Sequence, residues 1–287
     1  MLVKGREYIV DIVDIGQGGV GIGKYEGFTV FIDGGLFGDT LKVKINKSKK
    51  NYAVGDIVKI INPSTYRVDS ICKLDECGGC QIKNLDYKKQ LEIKTNEVRE
   101  VLKRIGKIDD VLVYDTIGMK NPYRYRNKAQ FPIRNNNKDI EIGFYKKKSH
   151  DIIKTDKCFI QHDINDEIIK IIKEYIIKNN ISIYDEKSHT GSIRHLMTKV
   201  GFTTNEVMVC LVVNDSDLPN LEDLVYKLKN IKGFKTLVLN INKEKTNVIL
   251  GKKNKVIFGS GKINDYIGSL VFEISPLSFF QVNPIQT

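Results

Sequence analysis

The chain of 287 residues carries 46 Lys and Arg residues against 35 Asp and Glu residues, a formal net charge of +11 at pH 7. Its length is sufficient for two domains, and no run approaches the roughly 20 apolar residues of a membrane-spanning helix. The N-terminus begins in a strand-like pattern without a signal-peptide layout, and the five cysteines do not suggest a secreted disulfide framework. We therefore expect a cytoplasmic protein without a membrane partner.

The excess of positive charge favours a polyanionic partner, because each phosphate that is neutralised releases counterions. Lys far outnumbers Arg in this chain, so a general lysine bias of the source proteome is the alternative explanation. Charge therefore indicates nucleic acid as a partner without deciding the matter.

Residues 1–62 are predicted to form an all-β barrel of the OB type. Short apolar-rich segments recur at roughly ten-residue spacing, with turn residues such as Glu26-Gly27 between them. The predicted strands cover residues 8–15, 16–23, 28–33, 40–46 and 56–61. A boundary is expected at Pro63 and the polar stretch after it.

The pattern Gly16-x-Gly18-x-x-Gly21 matches the glycine spacing of a dinucleotide-binding loop. That loop requires a following helix, whose N-terminus holds the pyrophosphate. A hairpin pattern follows here instead. We interpret these glycines as turn and bulge positions of the barrel.

Residues 63–270 are predicted to form an α/β (α+β) central domain. Apolar spacing predicts helices over 86–105, 165–180 and 217–230, with Asn165 as the cap of the second. A strand-like run covers 121–134, a second strand follows a loop at 135–139, and three more strands occur between 193 and 242. Residues 271–287 follow as a separate segment.

Four cysteines are arranged like the ligands of a soft metal. Cys72, Cys77 and Cys80 have the spacing Cys-x(4)-Cys-x(2)-Cys, and Cys158 follows much later. Four thiolates fit an iron–sulfur cluster or a zinc ion, and Gly78 and Gly79 are expected to let the loop turn. His162 is an alternative zinc ligand, whereas Cys210 lies in an apolar strand and is expected to be buried.

Together these motifs resemble the iron–sulfur branch of the RNA uracil-5-methyltransferases, especially the bacterial 23S ribosomal RNA enzymes. The segment GQGGVGIGKYEGFTVFIDGGLFGDTLKVKI is similar to their TRAM domain, and CxxxxCGGCQ with Cys158 resembles their [4Fe–4S] ligands. YRYRNKAQFPIR and GSIRHLMTKVG resemble their RNA-facing strands. The end, DYIGSLVFEISPLSFFQVNPIQT, is similar to the segment that leads into their methyltransferase domain. Some relatives have five residues between the first two cysteines, where this chain has four.

The resemblance implies roles for individual residues. Gln281 matches a glutamine that contacts S-adenosylmethionine, and Cys72, Cys77, Cys80 and Cys158 match the cluster ligands. Basic residues are expected to contact RNA: Arg124, Arg126, Lys128, Lys47, Lys49 and Lys50, with Lys146, Lys147 and Lys148 as less specific candidates. The helix 86–105 resembles one that packs on the catalytic domain, so exposed Leu and Val are expected on it.

The same resemblance implies methylation of uridine carbon 5 in ribosomal RNA, with S-adenosylmethionine as methyl donor. That chemistry needs a thiolate that adds at carbon 6 and a base that removes the carbon-5 proton. No motif for these groups, nor a glycine-rich cofactor loop, occurs before Thr287. We therefore expect a Rossmann-like methyltransferase domain that is absent or truncated and would be an intramolecular partner. The S-adenosylmethionine site is then only partly present, and the 287 residues have no catalytic residue and are inactive alone.

Two other functions fit these residues. One is uracil-5 methylation of transfer RNA by the same chemistry. The other is a stand-alone RNA-binding module that carries a structural zinc ion.

Overall fold

The computed structural model describes residues 1–136, 139–215 and 217–287. They form two compact units: a first unit of Met1–Lys73 with Cys80–Gly118, and a second unit of Leu74–Gly79 with Met119–Thr287. Within the described ranges, no helix is both long and apolar enough to cross a membrane.

A closed five-stranded barrel lies in the first unit, where the alternating sequence pattern predicts it. Its strands are β1 (Glu7–Gly16), β2 (Val20–Tyr25), β3 (Phe28–Ile32), β4 (Thr40–Ser48) and β5 (Tyr52–Asn62). Neighbours follow the order β1-β2-β3-β5-β4, and only the β3–β5 pair among these is parallel. Because side chains alternate between the two faces of a strand, Val10, Val30 and Val43 fill the interior.

The glycine-rich segment after β1 is a turn followed by a strand. Gln17–Gly19 form a short 3₁₀ turn in which Gly18 adopts a φ of +73°, and β2 follows where a dinucleotide site would need a helix. Inside the barrel, a Cβ on Gly23 would lie 2.3 Å from Val10 Cγ1. These glycines therefore serve the turn and the close approach of strands.

Helix α1 (Tyr87–Arg104) is the only long helix described in the first unit. The carboxylate of Asp86 caps it by accepting a hydrogen bond from the Lys89 backbone N–H at 3.1 Å. Ile93 packs in the barrel core, whereas Val98 and Val101 are about half exposed. The helix thus attaches to the barrel by one side and leaves apolar residues on its surface.

A seven-stranded sheet forms the second unit's centre, in the order β12-β11-β10-β9-β6-β7-β8. Its strands are β6 (Lys128–Asn136), β7 (Asp139–Tyr145), β8 (Ile152–Lys154), β9 (Ile193–Val200), β10 (Val207–Val213), β11 (Phe234–Ile241) and β12 (Lys253–Phe258). Only β10 and β11 are parallel neighbours in it. The predicted loop between β6 and β7 includes residues 137 and 138, which lie outside the described residues.

Helices α2 (Ile164–Lys178) and α3 (Leu221–Leu228) contribute to the main core of the second unit. Ile168, Ile172 and Leu224 are fully buried in that core. Cys210 lies in a smaller cluster with Met197 and Val238 and is fully buried, as the apolar strand predicts. A separate hairpin of β13 (Ile263–Ile267) and β14 (Leu270–Ile274) completes the unit.

Two local predictions are wrong. Asn165 does not cap α2, because the cap position is Asp163 and the buried Asn165 Oδ1 accepts a hydrogen bond from Thr198 Oγ1 at 2.5 Å. The strand predicted over 121–134 begins only at Lys128, since Arg124 adopts a φ of +56° and interrupts the extended chain. In both places a long-range contact or a backbone break overrides the local pattern.

Candidate functional site

Three barrel lysines predicted to contact RNA lie at the surface. Lys47 is near the end of β4, Lys49 and Lys50 follow in the loop to β5, and all three side chains are exposed. The Lys49 backbone N–H donates to the Tyr52 carbonyl at 2.8 Å, which fixes the loop. Within the described part of the chain, no hydrogen bond or ion pair holds these three ammonium groups. Their charge therefore faces solvent.

Arg124 has a different environment, because its guanidinium is occupied inside the second unit. It donates to the Cys158 carbonyl at 2.6 Å and to the Gln161 carbonyl at 3.2 Å. Its other nitrogen lies 3.8 Å from the Asp166 carboxylate. These contacts attach the segment that contains Cys158 to the segment before β6. Arg124 therefore positions the chain around Cys158.

Arg126 and Lys128 are half-buried. The Arg126 backbone N–H donates to the Ile160 carbonyl at 2.9 Å, while its buried side-chain Nε has no hydrogen-bond partner among the described residues. Burial, with the charge of Arg126 nearby, lowers the pKa of Lys128. A negatively charged ligand at Lys128 would stabilise the protonated amine and so oppose this lowering of its pKa.

Lys199, on the neighbouring strand β9, is a buried lysine that sequence reasoning did not select. It is 4% exposed, and its ammonium donates to the carbonyls of Ser275 at 2.7 Å and Ser278 at 2.8 Å. Burial, with Lys128 nearby, lowers its pKa to about 8. At neutral pH it remains largely protonated and holds the turn at 275–278 by both hydrogen bonds.

Gln281 follows this turn, and its backbone is fixed while its side chain is exposed. Asn127 donates from Nδ2 to the Gln281 carbonyl at 2.9 Å, and its backbone N–H donates to the Val282 carbonyl at 3.1 Å. The buried Asn127 is thus a second residue that the sequence pattern did not reveal. It presents Gln281 in one backbone position.

An open cleft of about 410 Å³, including the space at its mouth, lies beside this segment. Ile263, Ile274 and Phe280 contribute its apolar wall, and Lys128 and Lys199 contribute amines. Phe279 also lines it and is largely exposed. The cleft therefore combines an apolar wall with two amines.

The cysteine loop is anchored on the β7 side of the second unit through residues 74–79. Cys77 forms an isolated bridge with Lys146, and the Gly78 backbone N–H donates to the Tyr145 carbonyl at 3.1 Å. A Cβ on Gly78 would lie 3.2 Å from that carbonyl oxygen. Neither Gly78 nor Gly79 has a positive φ. Close backbone approach, and not a special turn conformation, is therefore the structural reason for Gly78.

The other three cysteines of the predicted ligand set, Cys72, Cys80 and Cys158, are half-buried like Cys77. Cys72 and Cys80 belong to the first unit, and Cys77 and Cys158 belong to the second. Across residues 1–136, 139–215 and 217–287, no three His, Cys, Asp or Glu side chains are grouped as a metal site. The donor chemistry of these thiols fits a soft metal.

His162 is half-buried beside Phe202, with ring centroids 5.5 Å apart. Its Nδ1 contacts the backbone N–H of Ile164 at 3.2 Å, and burial lowers its pKa. A neutral imidazole can accept this hydrogen bond at the start of α2, which gives His162 a structural role.

Comparison with known proteins identifies relatives of this chain. Residues 2–58 match the TRAM domain family model. An RNA methyltransferase of Clostridium tetani is 48% identical over 99% of this chain, and one of Caldanaerobacter subterraneus is 46% identical over 99%. The crystal structure of Pyrococcus abyssi tRNA (uracil-54, C5)-methyltransferase with S-adenosyl-L-homocysteine matches 96% of this chain at 25% identity and a TM-score of 0.71.

The chain spans 62% of the length of the Clostridium tetani relative, 63% of the Caldanaerobacter relative and 62% of the Pyrococcus chain. The matches nevertheless contradict the prediction that the methyltransferase domain is absent or truncated, because they extend over nearly all of this chain, the last segment included. They also contradict the prediction that the 287 residues are inactive alone, which rested on motifs missing before Thr287. Residues 2–58 form a TRAM domain, and homologous RNA methyltransferases cover 99% of the chain.

Proposed function

We propose that the protein transfers a methyl group from S-adenosylmethionine to carbon 5 of a uridine in RNA. The observation that carries this proposal is the alignment of 99% of the chain with RNA methyltransferases at 45–48% identity. The TRAM match and the Pyrococcus structure support it, because that structure is a uracil C5 methyltransferase with S-adenosyl-L-homocysteine. S-adenosylmethionine supplies an electrophilic methyl group when bound.

Three regions of the chain would have different roles in this reaction. Residues 1–62 would bind RNA through Lys47, Lys49 and Lys50, whose ammonium groups face solvent. Residues 63–270 would carry the cysteine ligands and the basic residues Arg124, Arg126 and Lys128. Residues 271–287 would begin the methyltransferase domain and contact the methyl donor through Gln281, whose backbone Asn127 holds.

Ribosomal RNA, specifically 23S rRNA, is the proposed substrate, because the sequence motifs resemble the ribosomal enzymes. Transfer RNA is the second candidate, since the matched Pyrococcus enzyme acts on uracil 54 of tRNA. Both substrates call for the same chemistry at the base. They differ in the RNA that the protein has to hold.

The test is to incubate the purified protein with S-adenosylmethionine and RNA from a strain that lacks its gene. We expect 5-methyluridine in nuclease digests analysed by mass spectrometry, and fragment mapping assigns it to 23S rRNA or tRNA. A Gln281→Ala variant should raise the KM for S-adenosylmethionine more than the KM for RNA. Methylation of another atom or base, with none at uridine carbon 5, would contradict the proposal.

We further propose that Cys72, Cys77, Cys80 and Cys158 hold a [4Fe–4S] cluster with a structural role. Four thiols that include Cys-x(4)-Cys-x(2)-Cys supply a complete ligand set for it. Arg124 supports this role, because it binds the backbone carbonyl of Cys158. Zinc is the alternative metal for the same thiols.

Iron and acid-labile sulfide analysis after anaerobic purification separates the two metals. We expect about four iron and four sulfide per chain, with broad absorbance near roughly 400 nm, and loss of both in a Cys77→Ser variant. Cys210→Ser is the matched control, since the buried Cys210 lies in a strand away from the ligand pattern. A colourless protein with one zinc ion would contradict the cluster.

A further inference from the structure

The outer face of the barrel brings together side chains from four neighbouring strands. Phe31 of β3 lies opposite Val54 of β5, and Val54 lies opposite Lys47 of β4. In the next row on the same face, two residues along β3, Lys24 of β2 lies opposite Thr29, and Thr29 lies opposite Tyr52 of β5. Directly opposite residues on neighbouring strands place their side chains on the same face of a sheet. Two parallel rows of side chains therefore cross these strands.

This face is the outer one, because the alternate residues fill the barrel. Val30, Ile32 and Ala53 are fully buried in the interior core. The intervening Phe31 and Tyr52 pack edge to face, with ring centroids 5.5 Å apart and an interplanar angle of 71°. Tyr52 is 37% exposed. An aromatic pair thus lies on the surface of the barrel.

A β-bulge places Lys47 beside this pair. Ile45 of β4 pairs with Gly55 of β5, and the next pair along the strands is Lys47 with Val54. Asn46 is therefore an extra residue in β4. Without it, strict alternation would direct Lys47 to the side of the buried Ile45. The bulge re-aims the lysine to the outer face, where Lys49 and Lys50 follow in the next loop.

The resulting surface has an aromatic centre with lysines at both ends of its rows. We call Phe31, Tyr52 and Val54, with Lys24 and Lys47, the aromatic face. At one end, the Lys24 ammonium donates to Thr29 Oγ1 at 2.7 Å. At the other end, the ammonium groups of Lys47, Lys49 and Lys50 face solvent. A ligand with flat apolar rings and regularly spaced negative charges complements this arrangement.

We propose that the aromatic face binds single-stranded RNA, with a base stacked on Tyr52 and the backbone phosphates at Lys47 and Lys49. The inference rests on the proposed function, which makes RNA the partner. A duplex hides its base faces, whereas an unpaired strand can stack bases on aromatic side chains. An acidic protein would use the lysines but would gain no base stacking, and the charge together with the exposed Tyr52 ring favours the RNA strand.

The experiment measures binding of a ten-nucleotide single-stranded RNA that contains one 2-aminopurine, without S-adenosylmethionine, to the full protein. We expect Tyr52→Ala to weaken binding by about 5- to 100-fold, the range for loss of one stacked base. The fluorescence quenching of 2-aminopurine should fall with it. Tyr52→Phe should retain both, because the ring remains. Tyr226→Ala, which removes an exposed ring from α3 of the second unit, is the matched control.

Unchanged affinity and quenching in Tyr52→Ala would overturn the inference and leave the face to a protein partner. An equal loss of affinity for a duplex of the same length would overturn it as well. A thermal melt of each variant identifies loss of fold, and Tyr52→Phe tests the ring if Tyr52→Ala is unfolded. Binding without formation of 5-methyluridine would contradict the proposed function alone, whereas methylation with unchanged Tyr52→Ala binding would contradict this inference alone.

Discussion

Two groups of positively charged side chains, one in each unit, have opposite environments. On the barrel, Lys47, Lys49 and Lys50 direct their ammonium groups to solvent. In the second unit, Arg124 and Lys199 donate to backbone carbonyls of their own chain. Net charge therefore overstates the surface available for RNA, because part of it stabilises loops. Residue type alone does not distinguish these two uses.

The largest effect on stability is expected for Lys199→Met. This change removes two charge-assisted hydrogen bonds, to the carbonyls of Ser275 and Ser278, so we expect the free energy of unfolding to fall by about 3 kcal/mol. Urea denaturation measures it. Lys253→Met, at an exposed position on β12, should change it by less than about 0.5 kcal/mol. Equal effects of the two changes would remove the contrast between buried and exposed lysines.

Stability should depend on pH through His195, which is buried on β9. Burial, with Arg194 adjacent, lowers its pKa from 6.5 to about 4. The unfolded state then binds more protons between these values, so the free energy of unfolding falls as pH drops from about 6.5 towards 4. The full loss is about 3 kcal/mol for this shift.

Urea denaturation at several pH values tests this dependence. His195→Gln should flatten the slope between pH 6.5 and 5. His162 adds a slope of the same sign, because burial also lowers its pKa. The difference between wild type and His195→Gln therefore isolates His195, and identical slopes would contradict its burial as the neutral form.

A smaller effect is expected for Arg124→Lys. A lysine keeps the charge, but its single ammonium cannot replace both guanidinium nitrogens, one of which donates to the carbonyls of Cys158 and Gln161 while the other lies near Asp166. We expect a loss of about 1–2 kcal/mol in the free energy of unfolding and a lower iron content. Arg134→Lys is the matched control, since within the described residues Arg134 makes only two long ion pairs, 3.6 Å to Asp151 and 3.9 Å to Glu186. An iron content equal to wild type in Arg124→Lys would contradict its role beside Cys158.

The smallest effect on stability is expected for Lys47→Ala, which should change it by less than about 0.5 kcal/mol. Its effect should be on RNA instead. The slope of log affinity against log salt for a single strand should decrease by about 0.7, the value for one phosphate contact. In Lys42→Ala, the lost ammonium is already paired with the Glu7 carboxylate at 2.7 Å. This variant should therefore change the salt slope less than Lys47→Ala does. An unchanged slope in Lys47→Ala would show that its charge does not contact phosphate.

Sequence patterns predict strands and helices better than they predict side-chain contacts. Alternation located the barrel strands, and helical spacing located α1 within one residue at each end, because both patterns depend on neighbours along the chain. The bulge at Asn46, the buried hydrogen bond of Asn165 and the carbonyl partners of Lys199 depend on residues far away in sequence. The role of Asn127 depends on its hydrogen bonds to Gln281 and Val282, and that of Tyr52 depends on the register of β3 and β5.

The central claim is that uridine carbon 5 receives the methyl group. Methylation there must displace the hydrogen at that carbon, so RNA labelled with tritium at uridine carbon 5 tests it directly. With S-adenosylmethionine and the purified protein, we predict release of tritium to water in equal amount to the methyl groups incorporated. Methyl incorporation without tritium release would contradict the claim.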